Sequence, residues 1–121
     1  MNLLDRIEGT ASGTSTAAYV TALTLELNPY KSTTIFISNG DDTSSLTYKV
    51  VGYAKMTGTL TQDIVSATTL AQGADTDIVQ IVDVPYAKAL VQVIDGDGHA
   101  DYVIEYTQER LQRWKSYLLH C

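Results

Sequence analysis

The sequence has only one cysteine, Cys121, and no long apolar run among its 121 residues. A single cysteine excludes an intrachain disulfide. No run approaches the ~20 residues that span a bilayer, so we expect no membrane insertion. The start, Met1–Glu8, lacks the basic and apolar regions of a signal peptide. We therefore expect synthesis and folding in a reducing cytoplasm, with Cys121 as a free terminal thiol.

Charge is also scarce, and basic charge most of all. Charged residues make up 18% of the chain, below the usual share of about 25%. Fourteen acidic residues against eight basic ones give a net charge of −6. This charge repels phosphate backbones and excludes nucleic acid as an expected partner. It favours docking onto a basic surface.

The sequence lacks the motifs of the common catalytic sites. It contains no G-x-S-x-G, Walker A or H-E-x-x-H pattern. Its two histidines, His99 and His120, have no cysteine or histidine partner at zinc-ligand spacing. We therefore expect a protein that is not an enzyme and that uses neither a cofactor nor a metal. An enzyme whose distant residues converge only in the fold stays an alternative.

One acidic turn leaves a calcium site open as a second possibility. Asp95, Asp97 and Asp101 are carboxylates of one Gly-rich loop, and hard cations bind such oxygens. The EF-hand spacing fails, because Gly98 follows Asp97 directly and no glutamate closes the loop. Aspartate and glycine are also what a hairpin turn needs, and the sequence favours that interpretation.

Most of the chain alternates apolar and polar residues with the period of a half-buried strand. Turn residues such as Asn39-Gly40 separate these runs. We predict about seven strands in an all-β, antiparallel β-sandwich, either a jelly roll or an immunoglobulin-like fold, over residues 19–106. The strands are expected at Tyr19–Leu27, Thr33–Ser38, Leu46–Tyr53, Asp63–Leu70, Asp77–Val82, Tyr86–Ile94 and Asp101–Tyr106.

Residues 1–18 are predicted to form a flexible N-terminal arm. The segment 9–18 is small and polar like a linker, and ten extended residues reach about 33 Å. A short amphipathic turn precedes it, with Leu3, Leu4 and Ile7 on one side. We expect these three side chains to contact a neighbouring subunit.

Residues 107–121 are predicted to form a short C-terminal helix. Leu111, Trp114 and Leu118 follow a helical period, and Thr107 suits the N-cap position. A helix of about twelve residues is marginal alone, so it must pack on its own sandwich or on a partner. An aromatic side chain among basic ones is typical of interfaces. The predicted interface residues here are Arg110, Arg113, Trp114 and Tyr117.

Three motifs resemble small β-sandwich structural proteins from the virions of tailed bacteriophages. They are Thr34–Gly40, then Leu46–Tyr53, then Pro85-Tyr86 with Leu90–Val93, and the resemblance spans residues 33 to 94. It implies a capsid decoration or cement protein that stabilises the shell by bridging neighbouring capsid subunits. The implied partners are the major capsid protein or other virion proteins, the implied location is the virion, and a homotrimer is favoured.

Two alternatives remain at this point. The C-terminal segment lies outside the resemblance, which leaves a head–tail or tail accessory protein open. Eight tyrosines are many for this length, and tyrosine-lined sheets can stack sugars, so a carbohydrate-binding or adhesin-like module is the other alternative. Tyrosine also favours half-buried sheet surfaces in general.

Overall fold

A computed structural model describes residues 4–27, 32–40, 44–73, 75–82, 86–95 and 100–111. Among these residues all regular structure is β, and there is no helix, so none that could cross a membrane. The strands are β1 (Leu4–Thr14), β2 (Val20–Glu26), β3 (Ser32–Asn39), β4 (Leu46–Tyr53), β5 (Thr61–Leu70), β6 (Thr76–Val82), β7 (Lys88–Ile94) and β8 (Asp101–Leu111).

The eight strands form two four-stranded sheets in which every pair is antiparallel. Sheet A has the order β1-β8-β3-β6 and sheet B the order β2-β7-β4-β5. Only β4 and β5 are neighbours both in sequence and in a sheet, and every other connection crosses from one sheet to the other. This order is that of a jelly roll, one of the two predicted sandwich topologies.

The predicted alternation accounts for the core. In β7 the buried residues Ala89, Val91 and Val93 alternate with half-buried ones, and β3 buries Ile35 and Ile37 in the same way. Side chains on the inner faces of both sheets meet in one cluster. The predicted all-β, antiparallel sandwich is confirmed, with eight strands in the described residues where about seven were predicted, because β1 was not expected. In the turn before β6, Gly73 adopts a φ of +87° that favours glycine.

The prediction of a flexible N-terminal arm is wrong for Leu4–Thr14, which form the edge strand β1. This strand pairs with β8 along its whole length, from Leu4 opposite Leu111 to Thr14 opposite Asp101. The small residues that suggested a linker instead make room for side chains of the paired strand β8. Gly9 lies opposite Tyr106 and Gly13 lies opposite Tyr102, and each tyrosine ring occupies the space beside the glycine. Cross-strand aromatic rings can thus stabilise glycines on an edge strand.

The prediction of a C-terminal helix starting at residue 107 is also wrong, because β8 continues to Leu111. Side chains at even positions point inward, and Gln108 is buried among them. Its Nε2 donates to the Glu26 carbonyl oxygen at 2.7 Å and to Thr33 Oγ1 at 3.1 Å. The first of these bonds joins the two sheets. A short isolated helix is only marginally stable, even where the sequence has a helical period. Pairing with strands distant in sequence therefore determines the structure of this segment. Residues 112–121 lie outside the described residues.

A second bond between the sheets lies near the opposite margin of the sandwich. The buried Tyr48 of β4 donates its hydroxyl hydrogen to Asp77 Oδ2 of β6 at 2.8 Å. Burial, together with this bond to a carboxylate, raises the pKa of Tyr48 from 10.0 to about 12. The neutral phenol is therefore favoured in the folded state.

This shift predicts a loss of stability in strong alkali. Since the folded pKa lies above the unfolded value, the contribution is complete below pH 10 and is lost as the pH rises towards 12. Between pH 9 and pH 11 the native protein should lose about 1 kcal/mol more free energy of unfolding than Tyr48→Phe. Urea denaturation at both pH values measures this difference, and equal losses in the two proteins would contradict it.

Candidate interaction surface

The outer face of sheet A carries three exposed apolar side chains close together. Phe36 of β3, Ile78 of β6 and Val103 of β8 are 45%, 60% and 42% exposed. Phe36 lies directly opposite Ile78, and Val103 lies opposite Ser38, one step along the same face from Phe36. Cross-strand and diagonal neighbours on one face are within reach of an aromatic ring. These three side chains are called the apolar patch below.

The half of this face formed by β1 and β8 is acidic. Glu8, Glu105 and Glu109 share it with one base, Arg6. Arg6 Nη2 lies 3.5 Å from Glu8 Oε2, but both side chains are well exposed, and such pairs contribute little. The local charge is therefore negative, and Glu105 lies directly opposite Phe36. These three glutamates form the acidic rim of the apolar patch.

A shallow cavity of about 490 Å³ lies where the acidic rim meets the patch. Its lining combines two carboxylates, three hydroxyl-bearing side chains and the exposed Phe36 ring. The residues around it are Glu8, Gly9, Thr10, Phe36, Glu105, Tyr106 and Thr107. Volumes of this order suit a small ligand or a side chain of a partner.

On the outer face of sheet B, two lysines lie over tyrosine rings. Lys49 Nζ lies 4.3 Å from the ring centroid of Tyr19, and Lys88 Nζ lies 4.6 Å from that of Tyr53. These are cation–π distances within the chain itself. Lys49 and Lys88 thus lie over the rings of Tyr19 and Tyr53, whereas the Phe36 ring of sheet A is exposed.

The structure does not bring Ile7, the predicted interface residue whose side chain it describes, to this surface. Ile7 is exposed on β1, but it lies opposite the inward-facing Gln108 and so belongs to the other face of sheet A. Leu4 and Arg110 are placed only as backbone positions of β1 and β8. Leu3, Arg113, Trp114 and Tyr117 lie outside the described residues. The predicted interface of the two terminal segments therefore stays a prediction.

The candidate metal ligands are not gathered in the part of the chain that the structure describes. Asp101 accepts a hydrogen bond from Thr14 Oγ1 at 2.7 Å, and Asp95 is buried. Asp97, His99 and His120 fall outside the described residues. Within the described ranges, no group of three His, Cys, Asp or Glu side chains is placed to hold an ion.

The predicted interface omitted the apolar patch, although the sequence contains a cue to it. In β3 the alternation that buries Ile35 and Ile37 puts Phe36 on the same side as Thr34 and Ser38. A large aromatic residue on the polar side of a strand indicates a contact outside the domain. The acidic rim has no such cue, since Glu8 and Glu105 meet only through the pairing of β1 with β8.

No family model and no curated protein sequence matches the chain. Similar solved structures do exist. The structure of Bacillus endospore appendages, described as disulfide-linked pili, is 13% identical with a TM-score of 0.57, covering 89% of this chain and 88% of that one. The SPBc2 prophage-derived protein YomS is 11% identical with a TM-score of 0.55, covering 90% and 96%.

A viral coat protein has a similar fold. The VP2 subviral particle of infectious bursal disease virus is 12% identical with a TM-score of 0.53, and the match covers 86% of this chain but 32% of that one. At these identities the comparisons establish the shared β-sandwich fold alone. One fold serves many functions, so a function must be argued from the surface.

Proposed function

We propose that this chain is a non-enzymatic structural protein of a phage virion, most specifically a capsid decoration or cement protein. It would bind a basic, partly apolar surface of the major capsid protein and bridge neighbouring subunits of the shell. The observation that carries this proposal is the apolar patch with its acidic rim on one open face. Contiguous apolar surface of this kind on a soluble domain is typical of a binding site.

Two further observations support a virion role. The three sequence motifs resemble those of phage β-sandwich proteins, and similar folds occur in a prophage-derived protein and in a viral coat protein. The acidic rim complements a basic partner and would steer association at low salt. Many shallow contacts repeated over a shell add up by multivalency, so each one can be weak. A trimer, which the resemblance implies, stays a prediction.

Phe36→Glu tests the surface on particles of the virus that encodes this chain. Particles prepared without the chain are mixed with purified protein, and co-sedimentation measures binding. Phe36→Glu should weaken binding at least about tenfold, because it places a charge in the centre of the patch. Phe36 is exposed, so the fold should tolerate the change.

Thr24→Glu is the matched control, since it adds the same charge at an exposed position of β2 in sheet B. It should bind as the native protein does. Equal binding by Phe36→Glu and the native protein would overturn the proposed surface. Absence of the chain from gradient-purified native particles would overturn the virion role itself.

The cavity favours one second candidate, a carbohydrate-binding module. An exposed ring beside carboxylates and hydroxyls offers stacking and hydrogen bonds to a sugar. A glycan array with the native protein and Glu105→Gln distinguishes the two functions. A defined glycan bound by the native protein and lost in Glu105→Gln would favour this candidate over the shell protein.

A further inference from the structure

The two carboxylates of the cavity lie diagonally across the pair of β1 and β8. Glu8 stands opposite Thr107 and Glu105 stands opposite Thr10, and all four side chains share the outer face of sheet A with Phe36. Diagonal neighbours on one face of a sheet lie about 7–8 Å apart. The cavity between Glu8 and Glu105 therefore has room for one planar cationic group that contacts both carboxylates.

An aromatic ring forms another side of the cavity. Phe36 lies opposite Glu105 in the pairing of β3 with β8, and it is 45% exposed. A cation over the face of an aromatic ring is attracted by the electrons of that ring. The ring and the two carboxylates therefore favour the same kind of ligand, a cation with a flat face.

The described chain leaves most of the charge of the cavity uncompensated. Arg6 Nη2 lies 3.5 Å from Glu8 Oε2, but the two side chains are 58% and 71% exposed. Exposed pairs of this kind contribute little, so a better partner can replace Arg6. Among the side chains that the structure describes, no base forms an ion pair with Glu105. An incoming cation would compete with water for Glu105 and with one weak ion pair for Glu8.

We propose that this cavity binds an arginine side chain of the partner protein, with the guanidinium group stacked on Phe36 and donating hydrogen bonds to Glu8 and Glu105. The guanidinium group is planar, carries five N–H donors in a fixed fork and stacks on aromatic faces. The hydroxyl oxygens of Thr10 and Thr107 can accept further hydrogen bonds at the margin of the cavity. The inference rests on the proposed function, because it names the group by which a capsid subunit would be held.

The same geometry disfavours other occupants. A lysine ammonium is a compact, strongly hydrated point charge, so it cannot stack on the ring and bridge two carboxylates at once. A neutral sugar would leave the negative charge uncompensated. A calcium ion takes about six to eight oxygen ligands, and within the described ranges no three His, Cys, Asp or Glu side chains are placed to hold an ion.

Nuclear magnetic resonance titration of the full chain, labelled with nitrogen-15, measures the binding directly. At low salt, N-acetyl-L-arginine amide should produce saturable shifts at the backbone amides of Gly9, Thr10 and Tyr106, with a dissociation constant of about 10 mM or less. N-acetyl-L-citrulline amide has a similar shape without the charge and should produce none. N-acetyl-L-lysine amide should bind at least about threefold more weakly. Absence of saturable shifts with the arginine probe, or equal binding of the arginine and lysine probes, would overturn the proposal.

Three substitutions locate the site. Glu105→Gln keeps the size of the side chain and removes its charge, and Phe36→Leu keeps an apolar side chain without the ring. Each should raise the dissociation constant of the arginine probe at least about fivefold. Glu26→Gln is the matched control, since it removes the same charge from an exposed position of β2 in sheet B, and it should leave this constant unchanged. Equal effects of Glu105→Gln and Glu26→Gln would overturn the proposal.

Co-sedimentation with particles that lack the chain separates this inference from the proposed function. Glu105→Gln should weaken particle binding, and N-acetyl-L-arginine amide should compete with the particles where the citrulline amide does not. Particle binding that is lost in Phe36→Glu but unchanged in Glu105→Gln would overturn the arginine site and leave the proposed surface intact. Binding of the arginine probe by a chain that is absent from native particles would support the site and refute the virion role.

Discussion

Asn39→Asp should strongly destabilise the protein. Asn39 is completely buried, and its Nδ2 donates to the carbonyl oxygens of Ser44, Ala71 and Leu70 at 2.8, 3.2 and 3.4 Å. An aspartate would turn this donor into a buried charge that faces three acceptors. We expect a loss of about 4 kcal/mol in the free energy of unfolding at pH 7.

Urea denaturation followed by circular dichroism measures this loss. Ser45→Asp is the control, because it adds the same charge to an exposed position in the adjacent loop. It should shift the free energy of unfolding by less than about 0.5 kcal/mol. Near pH 3 the new carboxyl group of Asn39→Asp is largely neutral and can donate one hydrogen bond, so part of the difference from the native protein should be recovered. Equal urea midpoints for Asn39→Asp and Ser45→Asp would show that the hydrogen bonds of the Asn39 side-chain amide do not stabilise the fold.

Gly52→Ala should produce the second large effect. A Cβ built at this buried position would lie 2.7 Å from Cδ1 and 2.8 Å from Cγ of Tyr86. These ring atoms lie next to Cβ of Tyr86, so they cannot move away as the end of a flexible side chain could. We expect a loss of about 2 kcal/mol through overpacking.

Gly40→Ala provides the comparison for this prediction. At Gly40 the nearest atom to a new Cβ is the Asp101 carbonyl oxygen at 3.6 Å, an ordinary contact. Gly40→Ala should leave the free energy of unfolding unchanged, or raise it slightly by lowering the conformational entropy of the unfolded chain. Combining Gly52→Ala with Tyr86→Ala should cost less than the sum of the single changes, since the second removes the clashing ring. Strict additivity would show that the clash is not with Tyr86.

Local alternation determined how much of the fold could be predicted. β4 was expected at Leu46–Tyr53 and has those bounds, because its apolar residues are spaced by two and turn residues flank it. β1 could not be found in this way. Its glycines have no side chains to bury, and they are stabilised by tyrosines some ninety residues away. Only the paired strand reveals why they suit a sheet.

The end of β8 shows a conflict between two periods. Leu111, Trp114 and Leu118 have helical spacing, while Tyr102, Ile104, Tyr106 and Gln108 alternate. The alternation controls the chain as far as Leu111, because β1 and β3 flank this strand on both sides. The helical spacing is visible in the local sequence. The two strands that flank β8 are distant in sequence, so their effect is not visible there.

The candidate surface could be predicted only in part, for a related reason. Phe36 and Ile78 lie on strands that the alternation locates, so their exposure follows from the strand pattern. Their contact requires the pairing of β3 with β6, and the acidic rim requires that of β1 with β8. Residue patterns specify which side chains face outward, whereas topology specifies which of them meet.

The position of β8 has a consequence for biosynthesis. This late strand lies between β1 and β3, so β1 has no partner until about a hundred residues have left the ribosome. Sheet A can close only after β8 emerges, and the nascent chain meanwhile exposes strands that other chains could capture. Such long-range pairing favours folding in milliseconds to seconds instead of microseconds. Molecular chaperones would protect this chain most between the synthesis of β3 and the arrival of β8.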